Sequence, residues 1–409
     1  MSIYTDLESS PLPYQAICSI LANVDLSHPE NPYALQPELQ ALLSTFSEAD
    51  WHLFIRMAKA EGVAPLLFYA STRSAFEAPD EVNRELRMAY YKSAAFNQMI
   101  IAELGQVVSR LDNASIPVIV LKGGALATTI YPDSALRPMN DLDLLVKPED
   151  LERAKSIILS MGYYEPIPEM AKGFNQLAQY HFYFSHRDKS SLNLELHWNL
   201  LAGQHDTRAP SIEWFWENTQ EISSITDENG SLQPYSTLSY TSHFLYLIGH
   251  CILQHGKFEA RLIWFYDLLS IIKKPNTRLD WQNIYRYAEE YHWAPALYYA
   301  MQILASLFHC EIPGALADEF QRNPDIKNDK EIRIKWENSS AERSHALEQL
   351  VSTKGWKKFQ LLFSYIFPDE AYMRWRYHYH PRWKVIYFYP YRWWDILVKG
   401  VKTIMHTDL

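Results

Sequence analysis

With 409 residues, 48% of them hydrophobic and 21% charged, the chain has the make-up of a soluble globular protein and enough length for two or three folding units. A formal net charge of −10 argues against a general nucleic-acid binder, because a polyanion needs a basic footprint. Cys18, Cys251 and Cys310 are far apart and form no CxxC pair, so neither a disulfide framework nor a zinc ribbon is indicated.

The opening MSIYTDLESS is acidic and polar, without a basic segment leading into an apolar one, and no apolar run approaches the ~18 residues of a spanning helix. A cytoplasmic location is therefore expected. Residues 1–113 read as a helical region: Trp51 to Ala58 carries apolar residues at helical spacing, and Glu81 to Leu111 holds no proline and no glycine before Gly105. The pattern changes at Ile116-Pro117-Val118-Ile119-Val120-Leu121, a β-branched run that predicts a strand feeding a turn at Gly123-Gly124. A brief helix over Ala125 to Ile130 and a second strand over Asp141 to Val146 follow. A helix over Glu149 to Met161 starts beside Pro148 and stops before Gly162. Two further strands are expected at His181 to Ser185 and Ser191 to Trp198.

These elements make residues 114–222 a small α+β core with a mixed sheet and helices. Residues 223–409 read as a C-terminal helical domain, with helices over Tyr240 to Gln254, Arg261 to Ile272, Trp281 to Tyr291 and Ala296 to Phe308. Asn323 to Arg343 is polar and charge-rich, a loop or a solvated helix. No internal repeat or low-complexity tract is present.

Asp141 and Asp143 stand two apart on a predicted strand, so both side chains point to one face. Two such carboxylates repel each other unless a cation lies between them, and hard oxygen donors of this kind suit Mg²⁺. Glu195, on another predicted strand, can bring a third carboxylate to the same edge, and three such groups can hold two metals ~3.5–4 Å apart for in-line phosphoryl chemistry. A lone DxD often serves only as a turn or cap at a strand end. Here a Lys-Gly-Gly turn lies just upstream, where backbone N–H groups can approach a triphosphate, and Lys122 and Arg137 can balance its charge.

The runs Val120 to Leu126, Tyr131-Pro132 and Leu136 to Val146, with the later Glu195-Leu196-His197-Trp198, resemble an uncharacterised bacterial nucleotidyltransferase family of the polymerase-β-like superfamily. The resemblance spans about residues 115 to 200. It implies Mg²⁺ ligation by Asp141 and Asp143, a third acid at Glu195, and triphosphate contact through Gly123 and Gly124. Where the wider superfamily usually has Gly-Ser, Gly124 replaces the serine and its hydroxyl is absent. The activity so implied is Mg²⁺-dependent transfer of a nucleoside monophosphate from an NTP to a hydroxyl acceptor. The alternatives are a non-catalytic nucleotide- or partner-binding module on the same fold, and a metal-dependent phosphohydrolase.

His197 shares the strand face of Glu195, which suggests a supporting or phosphate-facing role. His243, His250 and His255, with Asp267, sit in core-like helical sequence, and we read the histidines as hydrogen-bonded core residues rather than a metal site. From Ala371 to Leu409 the chain carries seven Lys and Arg against Asp395 and Asp408, interleaved with Trp375, Trp383, Trp393, Trp394 and several tyrosines. Such a segment either completes the helical domain or contacts the inner membrane surface peripherally.

Overall fold

Helices fill the first 113 residues of the computed structural model, which describes residues 4–27, 35–74, 76, 78–189, 192–201, 211–226, 232–329, 336, 350, 353, 355–378 and 385–407. They are α1 (Leu12–Asn23), α2 (Pro37–Ser44), α3 (Glu48–Ala60), α4 (Ala64–Ser71) and α5 (Asp80–Asn113). Helix α3 starts on a reciprocal cap, Ser47 accepting from the Asp50 amide while Asp50 accepts from the Ser47 amide. The 34-residue α5 opens with Asp80 and Glu81, whose charges suit a helix N-terminus.

Strand β1 (Val118–Val120) is shorter than the β-branched run suggested, because α6 (Lys122–Thr129) begins three residues before its expected start and takes both glycines into its first turn. Lys122, with φ 42°, makes the bend. Next come β2 (Leu142–Val146), α7 (Leu151–Ser160), β3 (Tyr163–Tyr164), α8 (Phe174–Ala178), β4 (His181–His186), β5 (Asn193–His197) and α9 (Ile212–Glu217). A hairpin, β6 (Thr219–Thr226) and β7 (Leu232–Leu238), extends the sheet past residue 222. The seven strands run β3-β4-β5-β2-β1-β7-β6, with β2 parallel to β5 and antiparallel to β1. Pro234 of β7 lies where β6 bulges between Ile222 and Ile225, a place that tolerates a missing ladder donor.

Alternation along the strands gives the sheet two different coats. Leu142, Leu144, Val146, Leu194 and Leu196 join residues of α5 and α7 in one apolar cluster. Leu145 and Ile119 face the other way and join the large helical cluster. That second layer comprises the N-terminal helices together with α10 (Tyr240–Ile248), α11 (Gly256–Glu259), α12 (Leu262–Lys273), α13 (Trp281–Glu290), α14 (Ala294–Phe308) and α15 (Gly314–Arg322). Asp143 and Glu195 share the parity of Leu145, so they lie between the sheet and the helical layer.

Where one helix was expected over Tyr240 to Gln254, α10 ends at Ile248 and Gly249–His255 continues with π-helical bonding. Such segments are uncommon and often occur at functional sites. Gly249 is needed there, since a Cβ would fall 2.9 Å from Leu201 and from the Trp293 ring. Most of Asn323 to Arg343 lies outside the described residues; Pro324–Asn328 is a single 3-10 turn. Helices Trp356–Ile366, Glu370–Tyr377 and Val385–Thr407 form the C-terminal part. Among the described residues no helix is long and apolar enough to cross a membrane.

Candidate active site

Register places the acids. In the parallel β2–β5 pair Asp143 stands directly opposite Glu195 and Leu145 opposite His197, while β4 sets His181 opposite His197. Two carboxylates paired across a ladder on one face repel unless compensated. The Lys122 ammonium lies between them, with Nζ 2.6 Å from Asp143 Oδ1 and 3.4 Å from Glu195 Oε2. His197 supports the pair from below, its Nε2 3.1 Å from Asp143 Oδ1 and 3.2 Å from Glu195 Oε2. Both neighbours are acceptors, so Nε2 carries the proton.

The three acids differ sharply in how well their charge is met. Burial pushes the Glu195 carboxyl up, but Lys122 and the His197 hydrogen bond outweigh it and hold the group well below the usual carboxylate range. Asp141, just before β2, is pushed up to about 7 by burial and by the Asp143 charge, against a weaker pull from Lys122. Compensation on this face is thus incomplete, and the shortage falls on Asp141.

All three acids line a cavity of about 430 Å³ between sheet and helical layer, together with Lys122, Gly123 and Arg137. Gly123 is required by close approach rather than by an unusual φ: a Cβ there would lie 2.4 Å from Arg137 Nη1 and 3.2 Å from Met139 Cγ. Gly124 points inward, where a Cβ would meet Val120 Cγ1 at 3.1 Å and Leu104 Cδ2 at 3.8 Å. A serine hydroxyl at this position would enter the apolar core here. His197 is fully buried and lies behind the cavity wall, against the carboxylates it holds and the rings of Tyr180 and His181.

The opposite wall was less legible. His250, Gln254 and His255 of the π-helical segment, with Glu259, Trp264 and Tyr180, complete the cavity. His255 Nδ1 lies 2.9 Å from Glu259 Oε2, and the His250 and His255 rings both pack on Trp264. Burial pulls the imidazoles of His181, His250 and His255 below their ordinary value, His181 to about 4, so they are neutral near pH 7. Of the three histidines read from sequence as core residues, only His243 stays away from the cavity, and its Nε2 has no hydrogen-bond partner among the described residues. The signal that could have separated them was Gly249, a glycine inside an apolar helical run.

The donor set suits a divalent cation held by hard oxygen ligands. Three carboxylates face one cavity, an ammonium already sits between two of them, and the third is short of compensation. Asp141, Asp143 and Glu195 could hold Mg²⁺. His181, Glu195 and His197 also bring their ligand atoms within 4.8 Å of one another, with Glu195 already meeting Lys122 and His197.

A mixed seven-stranded sheet with helices on both faces thus brings paired acids of β2 and β5 to one cavity. The chain belongs to the family described as "Uncharacterised nucleotidyltransferase", whose model matches residues 47–309. No curated protein matches the chain. A solution structure of the antibiotic-resistance factor ANT(2'')-Ia is similar at 11% identity, covering 57% of this chain and 97% of that one with a TM-score of 0.27.

Proposed function

We propose that the protein transfers a nucleoside monophosphate from an NTP to a hydroxyl of an acceptor molecule, with Asp141, Asp143 and Glu195 as metal ligands. The observation that carries this reading is the Asp143–Glu195 pair closed by Lys122 beside the first turn of α6. In the reaction the acceptor oxygen bonds to the α-phosphorus, the bond from that phosphorus to the bridging oxygen breaks, pyrophosphate leaves, and the hydroxyl proton passes to solvent. Mg²⁺, two ions on this reading, would supply charge neutralisation at the phosphates and lower the barrier to attack. The chain's part is to position and to compensate charge. Asp141, Asp143 and Glu195 fix the cations, Lys122 and Arg137 offset phosphate charge, and the Gly123 backbone lets the triphosphate come close. His197 keeps the two strand carboxylates oriented. The facing wall of His250, His255, Glu259 and Trp264 shapes the room for base and acceptor.

Incubation with each α-labelled NTP and Mg²⁺ tests the reaction. Transfer predicts release of pyrophosphate together with a labelled adduct. Release of inorganic phosphate without an adduct would favour a phosphohydrolase, and binding without turnover a non-catalytic module.

The basic, tryptophan-rich segment 371–409 is proposed as a peripheral contact to anionic membrane surfaces. Part of it packs inward: Arg392 Nε donates to the Tyr365 carbonyl and Trp393 Nε1 to the Ile366 carbonyl, both at 2.9 Å. Tyr387, Tyr391 and Trp394 on the same helix stay exposed, as do Trp356, Phe359 and Phe363 on the helix beside it. Aromatic rings among basic side chains suit a headgroup region.

A further inference from the structure

Arg137 ties the sheet side of the cavity to the helical layer. Its Nη2 and Nε donate to Asp267 Oδ2 at 2.9 and 3.2 Å, and Asp267 Oδ1 accepts from the Tyr131 hydroxyl at 2.6 Å. Asp267 sits inside α12 and is fully buried. Both of its oxygens are occupied, so the carboxylate is spent on holding one edge of the guanidinium. The other edge faces the site. Nη1 donates to the Pro138 carbonyl at a long 3.3 Å and lies directly over Gly123, in the first turn of α6.

A guanidinium has five N–H donors. Three have protein acceptors among the described residues, leaving one on Nη1 and one on Nη2 in a side chain only 9% exposed. Buried donors are normally satisfied, and a cavity-lining pair of N–H groups beside backbone amides is suited to phosphate oxygens. A tie serving the fold alone gives no reason for this, since a buried ion pair is often no more stabilising than an apolar pair of the same size.

We infer that Asp267 and Tyr131 are positioning residues that hold the Arg137 guanidinium against Gly123 as a clamp for the β- and γ-phosphates of the nucleotide. The inference rests on the nucleotidyl-transfer reading and adds to it. It makes α12, outside the sheet, a part of the triphosphate site, and it separates the phosphate end of the cavity from the His250–Trp264 end.

Full-length protein and inorganic triphosphate with Mg²⁺ provide a test that does not depend on the base. Titration calorimetry of wild type, Asp267→Asn, Arg137→Lys and Tyr131→Phe would be run with Mg²⁺-triphosphate, with the four NTPs and with the four monophosphates. Asp267→Asn and Arg137→Lys should weaken triphosphate and NTP binding on the order of tenfold or more, and Tyr131→Phe less, while monophosphate binding stays within about twofold. Arg137→Lys keeps the charge and the ion pair but loses the fork, so it carries the test even if Asp267→Asn fails to fold. Unchanged triphosphate affinity in a folded Asp267→Asn or Arg137→Lys protein would overturn the clamp, as would an equal loss for triphosphate and monophosphate. Failure of the wild type itself to bind any triphosphate would instead overturn the nucleotidyl-transfer reading, and the clamp with it.

Discussion

Strands β2 and β5 show two faces with opposite chemistry. Toward α5 and α7 they present Leu142, Leu144, Leu194 and Leu196, a dry apolar surface. Toward the helical layer the alternate positions carry Asp143, Glu195 and His197. Burial is comparable on both faces around Asp143 and His197, so exposure does not separate them. What separates them is compensation. The apolar face is stabilised by leaving water, whereas the polar face is tolerable only because Lys122 and His197 meet its charges. One face holds the fold and the other holds buried charge at some cost to the fold.

That contrast predicts opposite phenotypes from neighbouring residues. Glu195→Gln should abolish turnover, by a factor on the order of 10³ or more, while leaving a cooperative thermal transition. Leu144→Ala or Leu196→Ala should cost about 2–5 kcal/mol of stability and leave turnover per folded molecule largely intact. Steady-state turnover and chemical denaturation on the same preparations would check both. Large turnover loss from the leucines without loss of stability would break the comparison.

A second contrast lies within the polar face. Neutralising a metal-site carboxylate spares the fold where its neighbours repel it and nothing offsets its charge, a condition that the mutual repulsion of the DxD pair suggests for Asp143. The structure assigns that condition to Asp141 instead. Asp143 is paired with Lys122, so Asp143→Asn should lower metal-free stability as well as turnover. For Asp141 the folded value of about 7 lies above the ordinary 3.8, so the ionised form is disfavoured in the folded protein. Its contribution to stability is fully present below the ordinary value and is lost as pH rises toward 7. Metal-free melting temperature should therefore carry a downward component between about pH 4 and 7 that Asp141→Asn removes, and Mg²⁺ affinity should rise with pH over the same window. A metal-free pH profile identical in wild type and Asp141→Asn would remove Asp141 from this role.

Smaller effects are expected further out. Gly123→Ala puts a methyl where Arg137 Nη1 now lies, and should weaken NTP binding on the order of tenfold in a folded protein. The C-terminal segment should give weak, salt-sensitive vesicle binding, since basic residues near an anionic surface contribute ~1 kcal/mol each. Equal sedimentation of full-length protein and a protein ending before Ala371 would leave those aromatics a purely structural role.

How much of this could be read from sequence follows from which interactions are local. The carboxylate pair was legible because period-two alternation fixes a face, and β1 and β4 are rich in β-branched or aromatic residues. The β6–β7 hairpin was not, since Gln220, Glu221 and Pro234 mask its alternation and its pairing with β1 is long-range. Lys122 was expected to face phosphate, and it lies between Asp143 and Glu195, a placement set by the β2–β5 register. Asp267 was noticed among helical residues, but its tie to Arg137 spans 130 positions and leaves no local pattern.

The central claim is that the inner face of β2 and β5 is short of positive charge that Mg²⁺, arriving with a nucleotide, would supply. Thermal melts of wild type and Asp141→Asn, each with and without Mg²⁺-NTP, test it most directly. The account predicts that metal-free Asp141→Asn melts at or above the wild-type temperature near pH 7, and that only the wild type gains from Mg²⁺-NTP, by about 2.7 kcal/mol at a ligand excess of roughly 100 times Kd. An Asp141→Asn protein that melts lower without metal, or that gains as much from Mg²⁺-NTP as the wild type, would contradict it.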